Sequence, residues 1–389
     1  MGEPSELYLT AREEKALNGE NGEAVAASYR VLLSIGEYLG ADRLIPVISA
    51  HISGVNYANI GDEGLDFLHR FSDDGRVSVR TTLNPCGIEL ENPKSLNPPA
   101  SFIAKQLKIV EYYKKLGVAP TMTCVPYEFD NAPRRGSHVA WAESSACLYA
   151  NSMMGLKTNK ESAISALASA ITGKTPNAGM HLDRNRRPGI VVDVEAPLES
   201  PTDFGLLGIF AGKLTSKPIG ITGVGRITKS EGKALGAGIG TSGSSPMFII
   251  LDHAPRGVET VPFTKAELQN VKDENSAKSM PQVVLLGCPF YTLEEVGELS
   301  RKMETKKFRV PALLHISRSV YERAEKKGYI SKLNEAGARV LKDVCPSLTP
   351  EGTWGGWKSV ATDSPKGSFY MKSALKYDVN VMGLDDLLV

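Results

Sequence analysis

Short apolar runs of strand length recur along the chain at residues 44–48, 77–83, 119–123, 190–194, 218–222, 248–251, 282–286, 310–315 and 338–344. Between many of them the apolar positions adopt the three-to-four spacing of helices, around 101–116, 138–154, 160–172, 204–214, 229–235, 265–271, 293–303 and 319–327. Two helical patterns precede this alternation. Thr10 with Glu13 has capping-box spacing, and a longer helix over 23–38 stops at Gly40. Strands buried on both faces read as continuous apolar runs, so the alternation predicts an α/β protein of several layers with mainly parallel sheets. Turn residues break the chain often, with 37 glycines and 23 prolines, as at 84–85, 97–99 and 187–189. No repeat, low-complexity tract or long linker divides it. Residues 1–389 therefore read as one catalytic-size region of two or three α/β subdomains.

Composition narrows the classes of function. With 45 basic against 44 acidic residues, the chain has no electrostatic footprint for nucleic acid. It is 42% hydrophobic, and no uncharged apolar stretch reaches the length of a membrane span, so no membrane association is expected. The first six residues lack the basic-then-apolar pattern of a secretory leader, and a cytoplasmic location is expected. The charged stretch 302–309 reads as a solvated helix end.

The five cysteines, Cys86, Cys124, Cys147, Cys288 and Cys345, are odd in number, scattered and free of any CxxC pair. Reduced thiols follow from that, serving either as small core hydrophobes or as ligands. In open α/β sheets ligands collect beyond the carboxyl ends of strands. Cys124, Cys288 and Cys345 each end an apolar run and each has a proline one or two residues on. The intervals of 164 and 57 residues exclude a local zinc ribbon or ferredoxin loop. They leave open a site assembled from three strand ends, where three thiolates hold three irons of a cubane and leave the fourth as a Lewis acid. Cys147 lies in a helical pattern and reads as core. Cys86 sits in a turn that spacing alone does not place.

Other motifs have plainer readings. Gly238-Ile239-Gly240-Thr241-Ser242-Gly243 fits GxGxxG but runs from helix to strand, the reverse of a dinucleotide site, and reads as a structural turn. Ser144 and Ser145 lack a nucleophile-elbow surround. His51 follows the run 44–48, where a polar substrate contact is expected. His181, near Asp183 and Arg184, reads equally as a surface loop. The six histidines show no zinc-hydrolase spacing.

Beyond these, long ordered motifs carry a resemblance: residues 9–20, 40–46, 54–57, 81–85, 123–127, 141–146, 149–152, 170–176, 287–289 and 361–366. On them the chain resembles the large subunit of the aconitase X family. The resemblance implies an aconitase-like catalytic body lacking its swivelling domain, and a hydro-lyase carrying a [4Fe-4S] cluster on Cys124, Cys288 and Cys345. It implies dehydration of (R)-5-phosphomevalonate to trans-anhydromevalonate 5-phosphate, in a modified mevalonate route to isoprenoids. Dehydration of cis-3-hydroxy-L-proline and a non-catalytic iron–sulfur role are the alternatives. Gly54, Val55, Asn84, Pro85, Glu143, Ser144, Ser364 and Lys366 fall on substrate-site positions, with Glu143, Ser144 and Lys366 also catalytic. The phosphorylated substrate would meet its proton-abstracting base on a small partner subunit, because no swivelling domain fits between Lys366 and Val389. Cys86, Cys147 and Asn56 depart from the residues usual in the family, as does the stretch 346–357 that borders Cys345.

Overall fold

The computed structural model describes residues 7–128, 132–277, 279–350, 353 and 356–389. The first six residues, Glu351, Gly352, Trp354 and Gly355 lie outside them, and with them the amino-terminal pattern and part of the 346–357 stretch.

Three sheets are wholly parallel, each with helices packed against it. The first joins Arg80–Leu83, Ser49–Ile52 and Ala140–Trp141, in that spatial order. The second runs Phe248–Ile250, Ile219–Thr222, Ile190–Val194 and Thr260–Phe263. The third runs Ala338–Lys342, Ala312–Ile316, Val283–Leu286, Ser359–Thr362 and Asp378–Val381. An antiparallel pair, Leu44–Pro46 with Lys174–Pro176, completes the set. The fully buried sequence of Val283–Leu286 shows why the third sheet is parallel: no alternate residue could face water.

In the second and third sheets the first strand in sequence lies beside the fourth, so the chain reverses its direction of winding between them. Such a switch point leaves a crevice beyond the strand ends, because the two flanking loops depart toward opposite faces. In the third sheet that crevice falls between Cys288, after Val283–Leu286, and Ser364 with Lys366, after Ser359–Thr362. Gly54, Asn84 and Glu143 follow the three strands of the first sheet in the same manner.

Several sequence expectations are corrected. The run 119–123 is not a strand. Ala119 bridges Thr82, but Met122 takes a φ of +44°, and the Thr121 hydroxyl bonds the Leu83 backbone where a ladder would otherwise continue. The run 44–48 ends at Pro46, which has no N–H for a further ladder bond. Ser49–Ile52 is a separate central strand, so His51 lies within a strand and not past one. The pattern 138–154 splits into the strand Ala140–Trp141, the helix Ser144–Tyr149 and a π-turn Ala150–Met154.

Gly238–Ser242 forms the last turn of the helix Lys229–Ser242, where a structural loop turn was expected. This helix packs closely on Pro201–Gly212, where Gly205, Gly208 and Gly212 supply the opposing surface. A Cβ on Gly238 would stand 2.3 Å from the Gly205 carbonyl oxygen and 2.8 Å from the Gly208 Cα. Gly238→Val is therefore expected to destabilise the chain by about 1–3 kcal/mol through overpacking, read as a lowered urea midpoint with an unchanged slope. An unchanged midpoint would mean that the helices separate without cost.

Candidate active site at the strand ends

The helix Ser144–Tyr149 begins on Glu143, whose side chain caps it by accepting the Ala146 N–H at 2.7 Å. The same carboxylate accepts the Ser145 hydroxyl at 2.5 Å and meets Lys366 Nζ at 2.5 Å. Lys366 also donates to Ser145 Oγ at 3.1 Å. Lys366 is 6% exposed and Glu143 8%, so this pair joining the first and third sheets is almost fully desolvated. Burial pushes the Glu143 carboxyl upward, yet the Lys366 ammonium and the Ser145 and Ala146 donors outweigh it and hold the group below its ordinary value. Lys366 is raised in turn: burial opposes its charge, but Glu143 and the neighbouring thiols more than compensate. Both groups are ionised at neutral pH.

Lys366 stands in the first turn of the helix Pro365–Ser373, whose cap Ser364 accepts the Gly367 N–H at 2.9 Å. The Ser364 hydroxyl donates to the Cys288 carbonyl. Gly287, with a φ of +96°, precedes Cys288, and a Cβ there would lie 2.2 Å from the His315 carbonyl oxygen. The peptide bond from Cys288 to Pro289 is cis.

Cys124, Cys288 and Cys345 come together around this pair. Cys124 interacts electrostatically with Cys288, Cys288 with Cys345, and Cys345 with Cys124, and all three feel both Lys366 and Glu143. Burial pushes each thiol up to about 12. Unliganded, they are protonated at neutral pH, so metal binding must release protons. Donors suited to thiolates are already in place. The Phe290 N–H reaches Cys124 Sγ at 3.1 Å, and the Ser347 N–H bonds the Cys345 sulfur.

Among the described residues, no three His, Cys, Asp or Glu side chains stand close enough to share one metal ion. Two thiolates on one zinc lie at most about 4.6 Å apart, twice the ~2.3 Å bond length. A polynuclear iron–sulfur cluster takes each thiolate on a different iron and suits a wider triangle. The donor set, three mutually interacting thiols of which Cys124 and Cys288 are buried and Cys345 half-buried, with N–H and ammonium partners, fits that group.

Most of the remaining positions that the resemblance implies follow the strands Ser49–Ile52 and Arg80–Leu83. Asn84 holds His51 Nε2 at 3.2 Å, while His51 Nδ1 meets Thr82 at 2.8 Å. Burial lowers the His51 imidazole to about 4, which keeps it neutral. His51 thus orients Asn84 from within the sheet. Val55 and Pro85 are buried, and a Cβ on Gly54 would stand 2.8 Å from that of Ala163. Ser144 is half-buried; the serine that bonds Glu143 and Lys366 is Ser145, for which the sequence weighs only a hydrolase-nucleophile role and excludes it. A short polar residue two beyond a carboxylate cap was the available signal.

Cys147 is buried and donates to the Trp141 carbonyl at 2.8 Å. Cys86 is buried too, and its carbonyl accepts the Cys345 N–H at 3.0 Å, so it braces the backbone of a site thiol. His181 is not on a surface loop: it is buried, with its Nδ1 3.0 Å from that of His138.

A crevice at the carboxyl ends of parallel sheets, holding the thiols of Cys124, Cys288 and Cys345 and a desolvated lysine–glutamate pair, is the architecture of an α/β enzyme's active site. The chain belongs to the aconitase X family: residues 6–184 match "Aconitase X first domain", 188–275 the second and 281–389 the third. It is similar to "Phosphomevalonate dehydratase large subunit" of Thermococcus kodakarensis, at 37% identity over 94% of this chain and 95% of that protein. "Cis-3-hydroxy-L-proline dehydratase" of Pseudomonas aeruginosa is 31% identical over 97% of this chain but 68% of its own length. The crystal structure of Thermococcus kodakaraensis aconitase X in its holo-form superposes with a TM-score of 0.90, at 36% identity over 98% of this chain and 99% of that one. Among the described residues no helix is long and apolar enough to cross a membrane.

Proposed function

We propose that the chain is the large subunit of a phosphomevalonate dehydratase, with Cys124, Cys288 and Cys345 as ligands of a [4Fe-4S] cluster. The observation that carries the reading is the buried Lys366–Glu143 pair set among three converging thiols. The matching relatives named as large subunits, covered nearly end to end, favour this substrate over hydroxyproline. When bound, the cluster supplies a Lewis-acidic iron for the substrate's carboxylate and hydroxyl.

The chain's own residues supply the rest. Lys366 places a positive charge where the anionic substrate gathers negative charge in the transition state, in surroundings that screen it little. Lys366 donates to Ser145, and Ser145 to Glu143, so a proton given up by the Lys366 ammonium can pass through Ser145 to Glu143 and from Glu143 to the departing hydroxide, which leaves as water while solvent reprotonates Lys366. The buried Val55 and Pro85, with Asn84 fixed by His51, shape and dry the opposite wall. The α-proton goes to a base on a small partner subunit that carries the swivelling domain. Ionisable buried thiols suit a reducing compartment, and the cytoplasm is the proposed location.

The test is anaerobic reconstitution with iron, sulfide and the small subunit, followed by assay of both substrates. 5-Phosphomevalonate is expected to lose water at a rate that collapses when the small subunit is omitted. Turnover of cis-3-hydroxy-L-proline alone would overturn the assignment.

A further inference from the structure

A second buried ion pair lines one cavity with Cys288, Ser364 and Lys366. Lys233, on the helix Lys229–Ser242, is 6% exposed and pairs with Glu295. Its Nζ also donates to the Phe290 carbonyl at 3.1 Å and stands 5.5 Å from the Tyr291 ring centre. Glu295 is itself fixed, because it accepts the Thr292 N–H at 2.8 Å in the cap of the helix Leu293–Lys302.

The turn from Cys288 to Tyr291 is thereby held at three points. Ser364 donates to the Cys288 carbonyl, Lys233 to the Phe290 carbonyl, and the Tyr291 hydroxyl to Asp363. Between these anchors the Phe290 N–H is aimed at Cys124 Sγ, just after the irregular run 119–123. A buried lysine–glutamate pair is seldom needed for stability, since apolar replacements of both partners are often neutral or better. Its use here is directional. Lys233 comes from a helix of the second sheet's layer and fixes a backbone donor in the loop after Val283–Leu286 against the Cys124 thiol.

We infer that Lys233 is a positioning residue, which fixes the Phe290 main chain by its carbonyl, so that the N–H on the other side of the same Cα stays on Cys124 Sγ, and so governs retention and reduction potential of the cluster. This rests on the proposed ligand set. Outer partners of metal ligands commonly contribute about ten- to a hundredfold to metal affinity.

Three forms of the reconstituted heterodimer test it: wild type, Lys233→Met/Glu295→Gln and Lys233→Gln/Glu295→Gln. Both doubles remove one positive and one negative charge, so any difference between them reports the hydrogen bond and not the net field. The readouts are iron release to a chelator and the reduction potential of the cluster by dye titration, with melting of the cluster-free subunit as the folding control. The methionine form is expected to release iron about ten- to a hundredfold faster and to have a lower potential. The glutamine form, which keeps a donor for the Phe290 carbonyl, is expected to stay near wild type. Equal behaviour of the two doubles overturns the inference. Should the methionine form fail to fold, a glutamine form with fast iron release or a lowered potential overturns it just as well. A wild-type heterodimer that takes up no cluster overturns the ligand assignment and this inference together.

Discussion

Cys288→Ser is expected to leave the fold standing while abolishing both the visible absorbance of the reconstituted cluster and dehydration. Serine is nearly isosteric with cysteine, and the anchors of the turn do not use the thiol: Ser364 holds the Cys288 carbonyl and Lys233 the Phe290 carbonyl. The alcohol is a far harder ligand and far less acidic than a thiol, so it does not replace a thiolate on iron. Melting of the cluster-free subunit should therefore move by no more than a few degrees, while iron content falls away. The same change at Cys147, whose sulfur bonds the Trp141 carbonyl outside the triangle, is expected to retain the cluster. A Cys288→Ser protein with full iron content and turnover would remove Cys288 from the ligand set.

Lys366→Met is expected to have the second large effect, in two separable parts. It strands Glu143 as an unpaired carboxylate in a site 8% exposed, which costs about 3–5 kcal/mol when one partner of a buried pair is removed. It also removes the charge that faces the anionic substrate, so turnover should be lost. Lys366→Met/Glu143→Gln removes both charges. That double variant is expected to recover most of the stability and none of the activity. Urea unfolding of the cluster-free chain and a single-turnover assay of the holoenzyme divide the two. If the double variant regains activity along with stability, the pair is structural and the proposed relay is wrong.

The sequence carries the fold well wherever burial is two-sided. Val283–Leu286, Ala312–Ile316 and Ile190–Val194 stand out because no polar residue could be tolerated on either face, apart from His315 and Asp193. It carries the fold poorly where a strand is short, polar or broken by proline. Thr260–Phe263, which contains Pro262, and Asp378–Val381 are edge strands, and nothing in their local pattern separates them from loops. Ser359–Thr362 is buried throughout yet reads as weakly polar, since its burial is set by neighbours far along the chain.

The site divides in the same way. The three thiols could be picked out by their place after apolar runs, even though the run before Cys124 proved to be irregular backbone. Glu143, Lys366 and the other implied positions were reached through family resemblance and not through spacing, because their partners lie in other sheets. The contacts of Ser145 and Lys233 escaped both routes. Each acts by touching a group more than 50 residues away, Lys366 in one case and Phe290 in the other, and no local pattern encodes that.

The order of the strands in the chain also sets a timetable. The first proposed ligand is Cys124 and the last is Cys345, with the whole second sheet synthesised between Cys124 and Cys288. At roughly 5–20 residues per second, the ribosome takes about 10–45 s to pass from the first to the last. Throughout that interval the emerging polypeptide offers iron no more than two of its three thiols. On the proposed ligand set, cluster insertion therefore waits until the chain has been made as far as Cys345, and a cell that makes this protein faster than it can deliver iron and sulfide is expected to accumulate an empty subunit.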